Sequence, residues 1–109
     1  MTIPKLLGQS APNATTLTAL YTAPACARTT IDTLTICNRS AVATTFRISV
    51  SPKGVADAVA HYLYYDTAIA GNATVNLTEV NLKLTETDEL RVYAAAATLS
   101  FSAFGTENL

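Results

Sequence analysis

Side chains that could do chemistry are few in this chain, and they are scattered along it. His61 is the single histidine, and no Gly-x-Ser-x-Gly or Cys–His–Asn pattern accompanies it. A general base or an activated nucleophile needs partners within hydrogen-bond reach, and no recognisable set of partners surrounds this histidine in the sequence. We therefore predict that no residue is catalytic, that His61 is structural or exposed, and that the protein is not an enzyme.

Acidic residues gather only in the segment ETDE, which contains Glu86, Asp88 and Glu89. Three carboxylates at this spacing could ligate calcium weakly, but the sequence has no EF-hand pattern and no glycine-bearing aspartate loop. A solvated turn is the simpler interpretation. Asp57 and Asp66 are isolated, so a carboxylate pair for hydrolysis would depend on distant parts of the chain coming together.

Cysteine and glycine usage limits cofactor chemistry. Cys26, Cys37 and His61 do not supply a tetrahedral metal site, and the four glycines are too far apart for a phosphate-binding loop. We predict no metal and no cofactor. The two cysteines could close a short loop, but a chain without a secretion signal usually keeps its thiols reduced, which favours Cys37 as a buried free thiol.

Composition argues against nucleic acid and membranes as partners. Seven basic and eight acidic residues give a net charge of −1, and only 14% of the residues are charged. Such a chain has no long-range field to attract phosphate backbones or anionic lipid. No apolar run approaches the roughly 20 residues of a membrane span, and the first residues lack a signal peptide's pattern, so we expect a soluble protein folded in a cytoplasm.

The chemistry-bearing residues must be positioned by short strands. Runs of about six to ten residues rich in Thr, Val, Ile, Leu and Tyr are separated by Pro, Gly, Asn and Asp. The clearest alternation places Phe46, Ile48 and Val50 on one face of a half-buried strand. We predict strands at 15–22, 29–38, 44–51, 61–67, 73–79, 89–96 and 98–105, with a shorter one at 81–84.

Seven or eight strands in 109 residues predict one all-β domain. We expect an antiparallel β-sandwich or jelly roll over residues 14–109, with a closed barrel as the second choice. Residues 1–13 have two prolines and a glycine around Ile3, Leu6 and Leu7, and this pattern predicts an extended N-terminal arm.

Three segments depart from simple alternation. In strand 29–38, Ile31 and Leu34 have opposite parity, so either both faces are covered or a bulge intervenes. Phe104 breaks the alternation of the last strand, which predicts a bend. Segment 52–60 is predicted to be a loop with a helical turn, and segment 94–97 a tight connection between strands.

The segment HYLYYD at 61–66 holds three of the five tyrosines. Simple alternation places Tyr62 and Tyr64 on one face and Tyr65 on the other. Tyrosine offers a large contact area with few rotatable bonds and a hydroxyl group, so it concentrates at protein interfaces and carbohydrate platforms. Two interpretations stay open, namely that Tyr62 and Tyr64 cover the second sheet or that they form a subunit interface, with sugar binding third.

Five segments taken in order, KLLGQSAP, TLTALYTAP, ICNRSAVATTFRISV, HYLYYD and LSFSAFG, resemble small β-rich structural proteins of tailed bacteriophages. The resemblance covers nearly the whole chain. It implies a non-enzymatic virion protein that is assembled in the host cytoplasm, with a capsid cement or decoration protein as the first choice. A neck, tail or fibre protein is the alternative within that class, and the tyrosine-rich strand keeps a carbohydrate-binding sandwich module as a further alternative.

The partners implied by the resemblance are the major capsid protein or other virion subunits, together with further copies of the chain, for example in a trimer. A neutral, threonine-rich surface with few lysines suits permanent contact with other subunits. An open strand edge would add to that contact. The predicted interface residues are Ile3, Leu6, Leu7, Tyr62 and Tyr64.

Overall fold

The computed structural model describes residues 2–26, 28–56, 58–78 and 81–108, apart from the side chains of residues 2 and 3. These residues form an all-β fold, as predicted, with two short 3-10 turns at Pro52–Gly54 and Val59–His61. The nine strands within the described ranges are β1 Thr2–Ser10, β2 Thr18–Thr22, β3 Arg28–Asn38, β4 Thr44–Ser51, β5 Tyr62–Ile69, β6 Thr74–Leu77, β7 Leu82–Thr85, β8 Glu89–Ala94 and β9 Leu99–Asn108.

The strands form two antiparallel sheets. The larger sheet has the order β1-β9-β3-β6, with β7 also paired to β3, and the smaller sheet has the order β2-β8-β4-β5. Pairing is nested, because β1 pairs with β9, β2 with β8, β3 with β6 and β7, and β4 with β5. A chain that folds back on itself in nested pairs shared between two sheets is a jelly roll, one of the two predicted architectures.

The core lies between the two sheets, where alternate side chains of each strand point inward. Phe46 of β4 and Phe101 of β9 are buried, and their ring centroids lie 6.4 Å apart at an interplanar angle of 74°. Because β4 and β9 belong to different sheets, this edge-to-face contact joins the two layers. The predicted alternation of β4 is confirmed at Phe46 and Ile48, but Ser49 and Ser51 on its other face are also buried.

A β-bulge resolves the parity conflict in β3. The register between β3 and β9 shifts between Ile31 and Thr33, which leaves Asp32 as an extra, exposed residue. An extra residue reverses the direction of the side chains that follow it. Ile31 and Leu34 therefore both reach the core, where each is at most 1% exposed.

β9 alternates without interruption through Phe104, so its parity does not require the bend that the sequence predicted. Leu99 and Phe101 point into the core, and Phe104 lies on the outer face of the larger sheet with 41% of its surface exposed. The strand continues beyond its predicted end at residue 105, and this continuation brings Glu107 into a buried position.

The segment predicted to be an arm is extended, but it forms strand β1 of the larger sheet and pairs with β9 along its length. A Cβ atom on Gly8 would lie 2.3 Å from the backbone oxygen of Leu20. Glycine at this position therefore lets β1 pass close to β2. Leu7 packs against the core, so β1 is an integral part of the sandwich.

Each sheet edge is a poor template for a further strand. β1 carries Pro4, which has no N–H, and a register shift between Leu6 and Gly8. β2 has five residues and its own register shift, while β6 and β7 have four residues each. β5 contains two register shifts. Short strands, prolines and bulges all hinder edge-to-edge pairing, so the structure does not favour subunit contact through an open edge.

Connections between the strands follow the turn signals of the sequence. Segment 52–60 contains the predicted helical turn, and residues 95–98 link β8 to β9 tightly. The predicted strand 73–79 corresponds to β6, which ends at Leu77, while Glu79 lies outside the described residues.

Candidate functional site

The structure separates the two tyrosines that simple alternation placed together. Tyr64 is partly buried and packs against the core, with its ring centroid 6.3 Å from that of Phe46. The Tyr62 ring instead meets the ring of Tyr65, with centroids 5.1 Å apart and planes at 85°. The prediction that Tyr62 and Tyr64 share one face is therefore wrong. The two tyrosines that face outward together are Tyr62 and Tyr65.

Two bulges in β5 cause this rearrangement. Thr67 of β5 pairs with Phe46 of β4, and Tyr62 of β5 pairs with Ser49 of β4. These two pairings are three residues apart along β4 but five apart along β5, so β5 contains two extra residues. Each extra residue turns the following side chains to the opposite face. Asp66 accommodates the distortion with a left-handed φ of 49°, a conformation that aspartate tolerates better than most residues.

Tyr65 belongs to a cluster on the outer face of the smaller sheet. The guanidinium carbon of Arg47 lies 4.1 Å from the ring centroid of Tyr65 and 4.4 Å from that of Tyr93, within the range of cation–π attraction. Arg47 Nε donates a hydrogen bond to Asp66 Oδ1 at 2.6 Å, and this bond raises the pKa of the guanidinium. We call Tyr62, Tyr65, Arg47, Tyr93 and Asp66 the tyrosine–arginine cluster.

Arg47 and Tyr93 were not among the predicted site residues. The alternation of β4 does place Arg47 opposite to Phe46, and so on the outer face. Tyr93 lies directly opposite Arg47 in the pairing of β8 with β4. Direct cross-strand partners are close enough for their side chains to interact, but only the register reveals which residues are partners.

The outer face of the larger sheet has a different chemistry, dominated by neutral hydroxyl and amide groups. Thr35 of β3 lies opposite Ser102 of β9 and Asn76 of β6, and its Oγ1 donates to Asn76 Oδ1 at 2.9 Å. Leu6 of β1 lies opposite Phe104 of β9 on this face, and the two are 45% and 41% exposed. We call this pair the Leu6–Phe104 patch.

The three predicted interface residues of the N-terminal segment have different positions. Leu6 is exposed, whereas Leu7 packs against the core and is a structural residue. The side chain of Ile3 lies outside the described part of the chain. Phe104, which the sequence did not suggest as an interface residue, is the neighbour that makes Leu6 part of an apolar patch.

A buried carboxylate links strands of both sheets. Glu107 of β9 accepts hydrogen bonds from Lys5 Nζ at 3.0 Å and from the Tyr21 hydroxyl at 2.5 Å. Thr29 Oγ1 lies 2.7 Å from the same hydroxyl. The hydrogen bonds from Tyr21 and Lys5 lower the pKa of Glu107, while burial and the bond to Glu107 raise the pKa of Tyr21 to about 12. Because these groups satisfy one another, the network is structural.

This network predicts a loss of stability as the pH rises from 10 to about 12. In that range Tyr21 of the unfolded chain ionises while the folded chain keeps its proton, so the free energy of unfolding falls. In the Tyr21→Phe variant, the free energy of unfolding should fall much less steeply with pH over this range. The variant should also lose about 1–3 kcal/mol at neutral pH, because Glu107 then lacks a donor.

Urea unfolding at a series of alkaline pH values measures this effect. Tyr93→Phe is the matched control, because Tyr93 lies outside the Glu107 network, and this variant should keep the wild-type slope. The same slope in the wild type and in Tyr21→Phe would contradict the prediction.

The acidic segment at 86–89 forms a turn, as interpreted from the sequence. Asp88 accepts hydrogen bonds from the backbone N–H groups of Lys53 and Thr85, at 3.0 and 3.1 Å. Glu89 pairs with Arg91, with Oε1 2.6 Å from Nε. Asp88 thus holds the connection between β7 and β8 in place, while the Glu89–Arg91 pair lies within β8.

The two cysteines and the histidine are not members of either outer-face group. Cys26 is exposed and Cys37 is partly buried, and both are free thiols. His61 ends the second 3-10 turn and is partly buried. Within the described ranges, no group of three or more His, Cys, Asp or Glu side chains could hold a metal ion.

Comparison of the chain with protein-family models, with curated proteins and with solved structures finds no match in any of the three. In the described part of the chain, no helix has the length and apolar character that crossing a bilayer requires.

Proposed function

We propose that this chain is a non-enzymatic structural protein of a tailed-phage virion that binds and stabilises major capsid subunits, as cement or decoration proteins do. The proposal starts from the resemblance of the five segments quoted above, which span nearly the whole chain. The jelly roll supports it, because this architecture recurs in viral capsid proteins. A homo-oligomer such as a trimer would place several copies at a junction between capsid subunits.

The observation that carries the proposal is the Leu6–Phe104 patch on the outer face of the larger sheet. Both side chains are large, apolar and more than two-fifths exposed on a sheet face that is otherwise rich in hydroxyl groups. Interface cores are depleted in charged residues and enriched in aromatic ones, and they are surrounded by a polar rim. A capsid subunit covering this face would bury the patch and hydrogen-bond to the surrounding hydroxyl groups.

The strand edges also favour contact through a sheet face, because their irregularities hinder pairing with a further strand. A neighbour that paired with β1 would meet Pro4 and the register shift that follows Leu6. Proline removes a backbone donor from the edge, and a bulge disturbs the spacing of the remaining donors and acceptors. We therefore assign the docking role to side chains of the face.

Particles that lack the protein should assemble but rupture at a lower temperature or after a milder osmotic shock than complete particles. Purified wild-type protein, when added back, should bind and restore their resistance. The Phe104→Asp variant should bind at least about tenfold more weakly, because a carboxylate would have to be desolvated against an apolar surface. Binding and rupture temperature are both measured on the same particles.

Val42→Asp is the matched control, because Val42 is 73% exposed in the connection between β3 and β4 and away from the patch. This variant makes the same charge change and should bind like the wild type. Equal restoration by Phe104→Asp would contradict docking through the patch. Particles with normal resistance but lost infectivity would contradict the cement role and indicate a neck, tail or fibre protein instead.

A further inference from the structure

The tyrosine–arginine cluster has no part in the proposed capsid contact, because it lies on the opposite outer face of the sandwich. We propose that this cluster is a carbohydrate-binding platform for an extended, uncharged glycan. The inference goes beyond the proposed function and does not depend on it. Both faces of the sandwich could be occupied at the same time.

The aromatic side chains provide the apolar part of the platform. Tyr65 is 58% exposed although its ring contacts both Arg47 and Tyr62. An exposed aromatic ring held in a fixed orientation offers a flat surface for the C–H groups of a sugar ring, and its hydroxyl group can hydrogen-bond at the rim. The perpendicular Tyr62 and Tyr65 rings form a corner that would orient such a sugar.

Asp66 and Arg47 provide the polar part. The Asp66 side chain is 47% exposed, and its Oδ2 atom receives a long contact of 3.4 Å from Arg47 Nη2. This oxygen can therefore accept a hydrogen bond from a sugar hydroxyl. The Arg47 guanidinium retains further N–H donors for hydroxyl oxygens, since a guanidinium carries five.

Contacts within the cluster restrain its side chains without any ligand. Its members come from three neighbouring strands, β8, β4 and β5. Stacking on Tyr65 and Tyr93, together with the bond to Asp66, restrains Arg47. Rotamers that are already restrained lose less entropy on binding, and this matters most for weakly held ligands such as sugars.

Shape and charge define the class of glycan. The rings lie on β8 and β5, on either side of Arg47 on β4. Because neighbouring strands are about 4.8 Å apart, the cluster extends across roughly 10 Å of sheet, which exceeds a single sugar ring and suits an extended chain. Both arginines of this face are paired with carboxylates, Arg47 with Asp66 and Arg91 with Glu89. The face therefore has no excess positive charge for acidic glycans or phosphates, so an uncharged polysaccharide fits best.

Binding is tested with an array of neutral and acidic glycans, followed by NMR titration with hexasaccharides of glucose, mannose and N-acetylglucosamine. At least one neutral hexasaccharide should bind. Tyr65→Ala should weaken that binding about tenfold or more, whereas Tyr65→Phe, which keeps the ring, should stay within about threefold of the wild type. Arg47→Ala should also weaken glycan binding, because the guanidinium that contacts both the Tyr65 and the Tyr93 ring is then lost.

Leu63→Ala is the matched control, because Leu63 lies on the same strand and is 48% exposed. It should bind like the wild type, and so should Phe104→Asp, since its effect is confined to the other face. Far-UV circular dichroism checks that each variant is folded. No binding of any neutral glycan, binding of acidic glycans alone, or equal binding by Tyr65→Ala would each overturn the inference while leaving the capsid proposal intact.

Discussion

Replacing Phe46 with alanine is expected to lower the free energy of unfolding by about 3–5 kcal/mol. The side chain is fully buried and contacts the rings of Tyr64 and Phe101, with centroid distances of 6.3 and 6.4 Å. Its removal would open a cavity between the two sheets where they share aromatic contact. Domains of this size have only about 5–15 kcal/mol of stability in total, so a large part of it would be lost.

Phe104→Ala is the matched control, because it makes the same chemical change on the outer face of the larger sheet. Its cost should be about 1 kcal/mol or less. Guanidinium unfolding followed by far-UV circular dichroism measures both variants. If the two substitutions cost the same, Phe46 does not occupy the central position that the structure gives it.

Deleting residues 2–10 is expected to abolish the native fold. The deletion removes all of β1 and exposes the neighbouring edge of β9, a ten-residue strand with regular alternation and no proline. The deletion also removes the hydrogen bond from Lys5 to the buried Glu107 and the packing of Leu7 against the core. A long, flat, newly exposed edge favours aggregation, so the truncated chain should be insoluble or oligomeric in size-exclusion chromatography.

Leu7 and Leu6 offer a milder form of the same test. Leu7→Ala should be destabilising by about 2 kcal/mol or more, and Leu6→Ala by less than about 1 kcal/mol, since only Leu7 packs against the core. A truncated chain that stays monomeric and unfolds like the wild type would mean that this segment is a dispensable arm after all.

Alternation along the sequence predicted the fold class and much of the core. Phe46 and Ile48 on β4, and Leu99 and Phe101 on β9, occupy the buried faces that period-two alternation assigns to them. The prediction succeeded in stretches of strand that contain no inserted residue. A side-chain period of two is reliable wherever no residue is inserted, because every position then keeps its face.

Bulges explain most of what alternation could not predict. Asp32 in β3 and the two extra residues of β5 each reverse the parity, and no motif in the sequence marks them. The bulges of β5 turned the predicted pair of Tyr62 and Tyr64 into an outward Tyr62 and Tyr65. Asp66, with its left-handed φ, shows how β5 accommodates the change.

Long-range register explains the rest of the candidate site. Leu6 and Phe104 are nearly a full chain length apart in sequence, and Arg47 and Tyr93 come from strands separated by three others in chain order. Single-strand patterns state which way each side chain points, but they do not state which strand lies beside it. The nested pairing of the jelly roll supplies that information and forms both clusters.

The two outer faces divide the surface into regions of different chemistry. The larger sheet presents the Leu6–Phe104 patch on a face rich in hydroxyl groups, and the smaller sheet presents aromatic rings around a paired arginine. A protein held on a particle by the first face would display the second to the surroundings. The Phe104→Asp and Tyr65→Ala variants should therefore lose different activities, each without the other.

Quantitative mass spectrometry of purified phage particles tests most directly whether this protein is a structural subunit. Many copies should be found per particle, in a fixed ratio to the major capsid protein, and the ratio should fall strongly for Phe104→Asp but not for Val42→Asp. Absence of the chain from purified particles, although infected cells contain it, would contradict the structural role.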